Sequence, residues 1–194
     1  RAGNRAPATR WARLLRAAGH QVDVLEHWTA SDHAFDLMIA LHAWRSANSI
    51  AAFAELLPKR PLIVVLTGTD IYRFQHTHPE VTGASLGHAS ALIGLHDHVA
   101  RDIPEAYHPI LHTVFQSAHP LPPSYRGPSN RDFTICVVGH LRQEKDSLRA
   151  ADAARLLPAE SRNELFKPVA RTRQTGRWLR KHMPGCPLVI SKGY

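Results

Sequence analysis

The chain has 194 residues, 44% of them hydrophobic, which excludes a disordered polymer and allows one sizeable core, or one domain plus part of another. A formal charge of +8, from 24 Lys and Arg against 16 Asp and Glu, implies an anionic partner: nucleotide, phosphate, nucleic acid or acidic surface. No apolar run approaches the roughly 20 residues of a membrane span, the opening "RAGNRAPATRWARLL" has no signal-peptide core, and Cys136 and Cys186 stand far apart, so a cytoplasmic, reducing compartment is expected.

In chain order, Trp11, Leu14, Leu15 and Ala18 fall at helical spacing, with Thr9 the expected N-cap and Gly19 the expected stop. "QVDVLEHW" reads as a short strand. "DLMIALHA" is a continuous apolar run ending at His42, the pattern of a strand buried on both faces. Helical spacing returns from Ser46 to Leu57 and stops at Pro58. Leu62 to Leu66 is a second buried strand, and a weaker helix covers about Thr82 to Ala89. "ALIGLHD" and "PILHTVFQS" are short strands separated by a brief helical segment. "AHPLPPSYRGPSNRD" is a linker by composition. "FTICVVGH" then restarts the strand pattern, followed by a helix from about Ser147 to Leu157, and Pro187 to Ser191 allows one more strand.

Buried strands alternating with amphipathic helices predict an α/β fold with a parallel sheet. The expected division is a Rossmann-like N-terminal domain over residues 1–125, its first strand missing, and the start of a second Rossmann-like domain over 126–194. Both ends read as those of a fragment: the chain opens on a loop before a helix, and the strand–helix rhythm stops after Ser161.

Ligands in open α/β sheets bind beyond the carboxyl ends of the strands. Those positions are unusually polar here: His42, Trp44, Arg45 and Ser46 after the first apolar run; Thr67, Gly68, Thr69 and Asp70 after the second; His96, Asp97 and His98 after the third; Gly139, His140, Arg142 and, nearby, Lys145 after the last. Turn chemistry accounts for Gly68, Asp70 and Gly139. It leaves His42, Arg45, Arg142 and Lys145 to be explained together. Arg binds phosphate through two parallel hydrogen bonds, Lys adds a point charge, and helix N-termini add free N–H groups. Gly3, Asn4 and Arg5, before the first helix, repeat the design. The reading is an anion site shared by two domains.

The stretches "GNRAPATRWARLLRAAGH", "LMIALHAWRSANSI", "PLIVVLTGTDIY" and "GHLRQEKDSLRAA", in this order, resemble the retaining glycosyltransferases of the GT-B, family-4-like group, and within it the subfamily of the selenosugar synthase of selenoneine biosynthesis. The resemblance covers roughly Gly3 to Ser161. It implies a GT-B fold and transfer of a sugar from a UDP-sugar, with UDP-N-acetylglucosamine the expected donor, onto a small anionic acceptor, with selenophosphate expected. It needs no cofactor and no metal. Lys145 matches the family lysine that holds the donor diphosphate; His140 stands where the wider group has Arg, a charge that Arg142 can supply; Gly3 matches the glycine-rich loop before the first helix. The acidic pair that holds donor sugar and ribose in the wider group has no counterpart in the chain.

His42, Asp70, Arg142 and Lys145 are therefore the expected catalytic residues, and Gly3, Arg5, Arg45, Ser46, Thr67, Thr69, Gly139 and His140 the expected substrate-binding residues. The competing readings are a catalytically incomplete fragment and a basic phosphate- or nucleic-acid-binding protein, the latter without a recognisable helix-turn-helix, RNP or zinc motif. His76-Thr77-His78 and His96-Asp97-His98 match no metal-site spacing, and no Gly-x-Ser-x-Gly elbow occurs.

Overall fold

The computed structural model describes residues 2–29, 35–117, 120, 123, 146, 149, 152, 153, 156, 169, 170, 189 and 190. The chain divides into two compact units, Arg1–His119 and Pro120–Tyr194. In the second, Val169–Ala170 and Val189–Ile190 pair in parallel, Val169 beside Val189. The strand and helix expected between Phe133 and Leu157 fall largely outside the described residues.

The first unit is built on a parallel sheet of four strands: β1 (Met38–Leu41), β2 (Leu62–Leu66), β3 (Ala91–Gly94) and β4 (Leu111–Thr113), in that spatial order. Met38 lies beside Leu62, Ile63 beside Ala91, and Leu92 beside Leu111. β2, between two neighbours, buries Leu62, Val64, Val65 and Leu66 almost completely, as a run of branched apolar residues demands in a sheet covered on both faces. Helix α2 (Ala47–Leu56) follows β1 and brings Ile50 and Phe53 into the same core. Trp28 packs edge-on against Phe53, ring centroids 5.3 Å apart, and its backbone N–H donates to Ser49 Oγ. Truncating Phe53 to Ala should cost about 3–5 kcal/mol, since the ring is wholly enclosed.

Helix α1 (Ala2–Ala17) ends as the sequence predicts. Gly19 takes φ +94°, its N–H donates to Arg16 O, and His20 N–H reaches back to Leu15 O, the paired bonds of a Schellman stop. Its start differs from expectation. Gly3, Asn4 and Arg5 are not a loop before the helix but its first turn, and Thr9 lies inside it. The alanines of this stretch favour helix, and the Asn4 amide makes a long contact, 3.5 Å, to the Leu41 carbonyl. The inward face is also rotated: Ala12 is buried and Trp11 half-buried, while Leu14 is 49% exposed.

The segment Gln21–Trp28 is not a strand. Val24 and Leu25 are about half exposed, and β1 pairs with β2 alone among the described strands, so this stretch has no ladder to complete its backbone hydrogen bonds. Between β2 and β3 run a π-helical turn (Asp70–Phe74), a single α-turn α3 (Gln75–Thr77) and helix α4 (Pro79–Gly87), which starts three residues earlier than expected because Pro79 suits the first helical position. Two 3₁₀ helices, Val99–Asp102 and Glu105–Ile110, connect β3 to β4. Gly94 permits the close approach of the first: a Cβ there would lie 3.0 Å from Val99 side-chain carbons. No helix among the described residues is long and apolar enough to cross a membrane.

Candidate functional site

The parallel strands bring the segments after β1 and β2 to one edge of the sheet, and one carboxylate ties them together. Asp70 is fully buried. Its Oδ2 accepts the N–H groups of Ala43 (3.2 Å) and Thr67 (3.0 Å), and its Oδ1 those of Gly68 (2.7 Å) and Ile71 (3.2 Å). Four backbone donors from two loops converge on one side chain, which offsets the desolvation of its charge. Gly68, at φ +113°, supplies the left-handed turn that aims its N–H inward. Thr67 contributes here through its backbone.

His42 is the second anchor. It ends β1 with φ +85°, a conformation that strains a side-chain-bearing residue, and it is 2% exposed. The surroundings hold it there. Its N–H continues the ladder to Val65 O at 2.9 Å, and its carbonyl accepts from Ser46 N–H. Nδ1 accepts the Arg45 N–H at 3.2 Å, so Nε2 carries the proton and donates to Thr69 Oγ1 at 2.9 Å. Burial pushes the imidazole pKa below its ordinary value; the Asp70 charge, 3.9 Å from Nδ1, opposes this and the nearby Arg45 guanidinium adds to it. The ring is therefore neutral at neutral pH. Thr69, having accepted from His42, keeps its own hydroxyl proton to donate.

The other expected residues distribute as follows. Ser46 occupies the position before α2, but its Oγ donates to Leu41 O at 2.9 Å and makes no cap bond to the helix. Arg45 and Arg5 are exposed, and neither guanidinium has an ion pair among the described residues. Gly3 lies in the first turn of α1. Gly139, His140, Arg142 and Lys145 lie outside the described residues.

Sequence reasoning gave no role to the aromatic stack. The Trp44 indole lies parallel to Phe74, 4.0 Å between centroids and 4° between planes, with His78 tilted against both. The stack pins the loop carrying Arg45 to the π-helical turn that begins with Asp70. The only sequence signal was an aromatic residue in each of two strand-end segments. Beyond β3, Tyr72 Oη and His96 Nε2 are 2.9 Å apart. Burial, then the charge of Asp102 and a hydrogen bond to it, push the Tyr72 phenol pKa up.

These strand ends thus carry an exposed Arg45 side chain, a Thr69 hydroxyl that accepts from His42, and a Trp44–Phe74 stack, all attached to a buried His42–Asp70 base. No group of His, Cys, Asp and Glu among the described residues could hold a metal ion. No protein-family model matches the chain, and no curated protein matches it.

Proposed function

We propose that the chain belongs to a glycosyltransferase of the GT-B, family-4-like kind, moving a sugar from a UDP-sugar, with UDP-N-acetylglucosamine the expected donor, onto selenophosphate. In that reaction the bond from the anomeric carbon to the diphosphate oxygen breaks, the diphosphate leaves with the electron pair, and a carbon–selenium bond forms. The acceptor is already an anion and needs little help from a general base.

The observation that carries the reading is that Arg45 and Thr69 both attach to the buried His42 at the carboxyl ends of parallel strands, Arg45 through its backbone N–H and Thr69 through its hydroxyl, while the Arg45 side chain is exposed with no ion pair among the described residues. Arg45 and Thr69 would hold the acceptor's phosphate oxygens, a charge-assisted contact. His42 and Asp70 act as positioning residues, because both spend their polar atoms on neighbouring loops. Arg142 and Lys145 would stabilise charge developing on the leaving diphosphate, an assignment supported by the order of the motifs.

The test is incubation of the protein with UDP-N-acetylglucosamine and selenophosphate, with UDP and the selenosugar followed by mass spectrometry. Arg45→Ala should raise KM for selenophosphate about tenfold or more, and Lys145→Ala should lower kcat/KM by more, through the donor and the transition state. Turnover unchanged in Lys145→Ala would remove the diphosphate assignment, and the absence of any UDP-dependent product would remove the transferase reading.

A further inference from the structure

We propose that the cleft on the other side of the π-helical turn is a second small-molecule site, built for an organic anion with an apolar body and a single carboxylate or phosphate group. Its volume, about 600 Å³, is that of a small-ligand site. Ile71, Leu86 and Ile103, all buried, form an apolar floor, and Tyr72 and Tyr107 stand along its sides.

Two features separate it from an incidental groove. The first is Gly83, which lines the cleft from the middle of α4. A glycine inside a helix destabilises it relative to alanine, and nothing in the packing calls for one here: a Cβ at Gly83 would find no atom within 4 Å. The bare position leaves open space at the cleft lining, where a longer side chain could reach. Tyr107 Oη donates to the Gly83 carbonyl at 3.4 Å, which holds the tyrosine ring at the wall.

The second is charge. Of the two charged neighbours Arg101 and Asp102, the carboxylate is already engaged. His98 N–H donates to His96 Nδ1, so His96 Nε2–H donates to Tyr72 Oη, and the phenol proton goes to Asp102. Gln75 holds the same residue through its backbone carbonyl at 2.6 Å. Arg101 lines the cleft exposed, with no ion pair among the described residues. One exposed cation over an apolar floor selects a ligand with a single anionic group on a hydrocarbon or aromatic body.

The proposal does not rest on the transferase reading, and its test reads binding alone. Benzoate, phenyl phosphate and benzyl alcohol are titrated separately into the purified 194-residue chain, followed by calorimetry and ligand-observed NMR. At least one of the two anions should bind with Kd on the order of 1 mM, and the stronger of the pair identifies the preferred anionic group. Benzyl alcohol should bind about tenfold more weakly or less, and Arg101→Gln should weaken the anion by about the same factor. Gly83→Leu, which projects a side chain into the open space, should abolish binding while leaving the circular dichroism spectrum unchanged. Equal binding of benzyl alcohol, or anion affinity unchanged in Arg101→Gln, overturns the charge assignment. Undiminished binding in a folded Gly83→Leu overturns the location, and no binding of either anion overturns the site.

Discussion

Two histidines follow strands in this sheet and use their rings in nearly the same way. His42, after β1, accepts the N–H of Arg45 on Nδ1 and donates from Nε2 to a threonine hydroxyl; His96, after β3, accepts the N–H of His98 on Nδ1 and donates from Nε2 to a tyrosine hydroxyl. The local chemistry is matched, and the settings are not. His42 is 2% exposed, strained at φ +85° and adjacent to a buried carboxylate, whereas His96 is partly open to water and its partner Tyr72 is 44% exposed. The same hydrogen bonds therefore have different consequences. At β3 water can replace them. At β1 nothing can, so the ring, the carboxylate and both loops form one unit. A histidine motif read without its burial does not distinguish an anchor from a surface turn.

The largest expected effect comes from removing the carboxylate that makes the β1 end different. Asp70→Asn keeps the shape but turns one oxygen into a donor facing two N–H groups, whether it replaces Oδ1 or Oδ2. Urea unfolding should show a loss of about 3 kcal/mol or more, a value in the range for breaking a buried hydrogen-bonded network. A loss below about 1 kcal/mol would mean that the loops hold themselves without Asp70.

The second effect is pH dependence. The folded pKa of His42 is lowered from its ordinary value of 6.5. Above that value the ring is neutral in both states and its contribution to stability is fully present. As the pH falls below 6.5, the unfolded chain takes up a proton that the folded chain resists, so stability falls toward the lower folded pKa. The slope from this group approaches about 1.4 kcal/mol per pH unit at most. Urea midpoints measured between pH 7.5 and 5, with His42→Gln beside the parent, should show a drop that the variant reduces. An identical pH profile in the variant would assign the dependence elsewhere.

These predictions rest on features that the sequence reveals unevenly. β1, β2 and β3 are legible because each is a continuous apolar run bounded by proline, glycine or polar residues, although only β2 is buried along nearly its whole length, and the parallel sheet follows from their alternation with helices. Gln21–Trp28 carries a different strand pattern, alternating valines at Val22 and Val24, but strand formation depends on a neighbour, which no local pattern reports. The polar rim was legible as a set of residue types at strand ends. The roles within it were not. Nothing local says that Asp70 reaches back to Ala43, that His42 takes a positive φ, or that Trp44 lies on Phe74, since each contact joins segments about 27 to 30 residues apart that only the sheet brings together. The π-helical turn has no sequence signature at all.

Backbone strain at the β1 end can be separated from the ring's bonds by two variants at one position. His42→Ala and His42→Gly both lose the bonds to Thr69 and Arg45, but only glycine adopts φ +85° without strain. The glycine variant should be the more stable of the two by about 1 kcal/mol, despite the greater flexibility of its unfolded chain. Equal stabilities would show that the turn relaxes once the ring is gone, and that the strain exists only while the imidazole imposes it.

The smallest effect belongs to the exposed counterpart. His96→Gln removes the ring but leaves Tyr72 in contact with Asp102 and with water. Stability should move by no more than about 0.5 kcal/mol, the ordinary range for a surface substitution. The comparison turns on this number as much as on the largest one. If His96→Gln cost as much as His42→Gln, burial would not be what divides the two strand ends, and the tyrosine network beside the cleft would have to be counted as a second rigid anchor. A near-neutral result leaves a rigid base at β1 and β2 and a more pliable wall beside β3, with burial as the property that divides them.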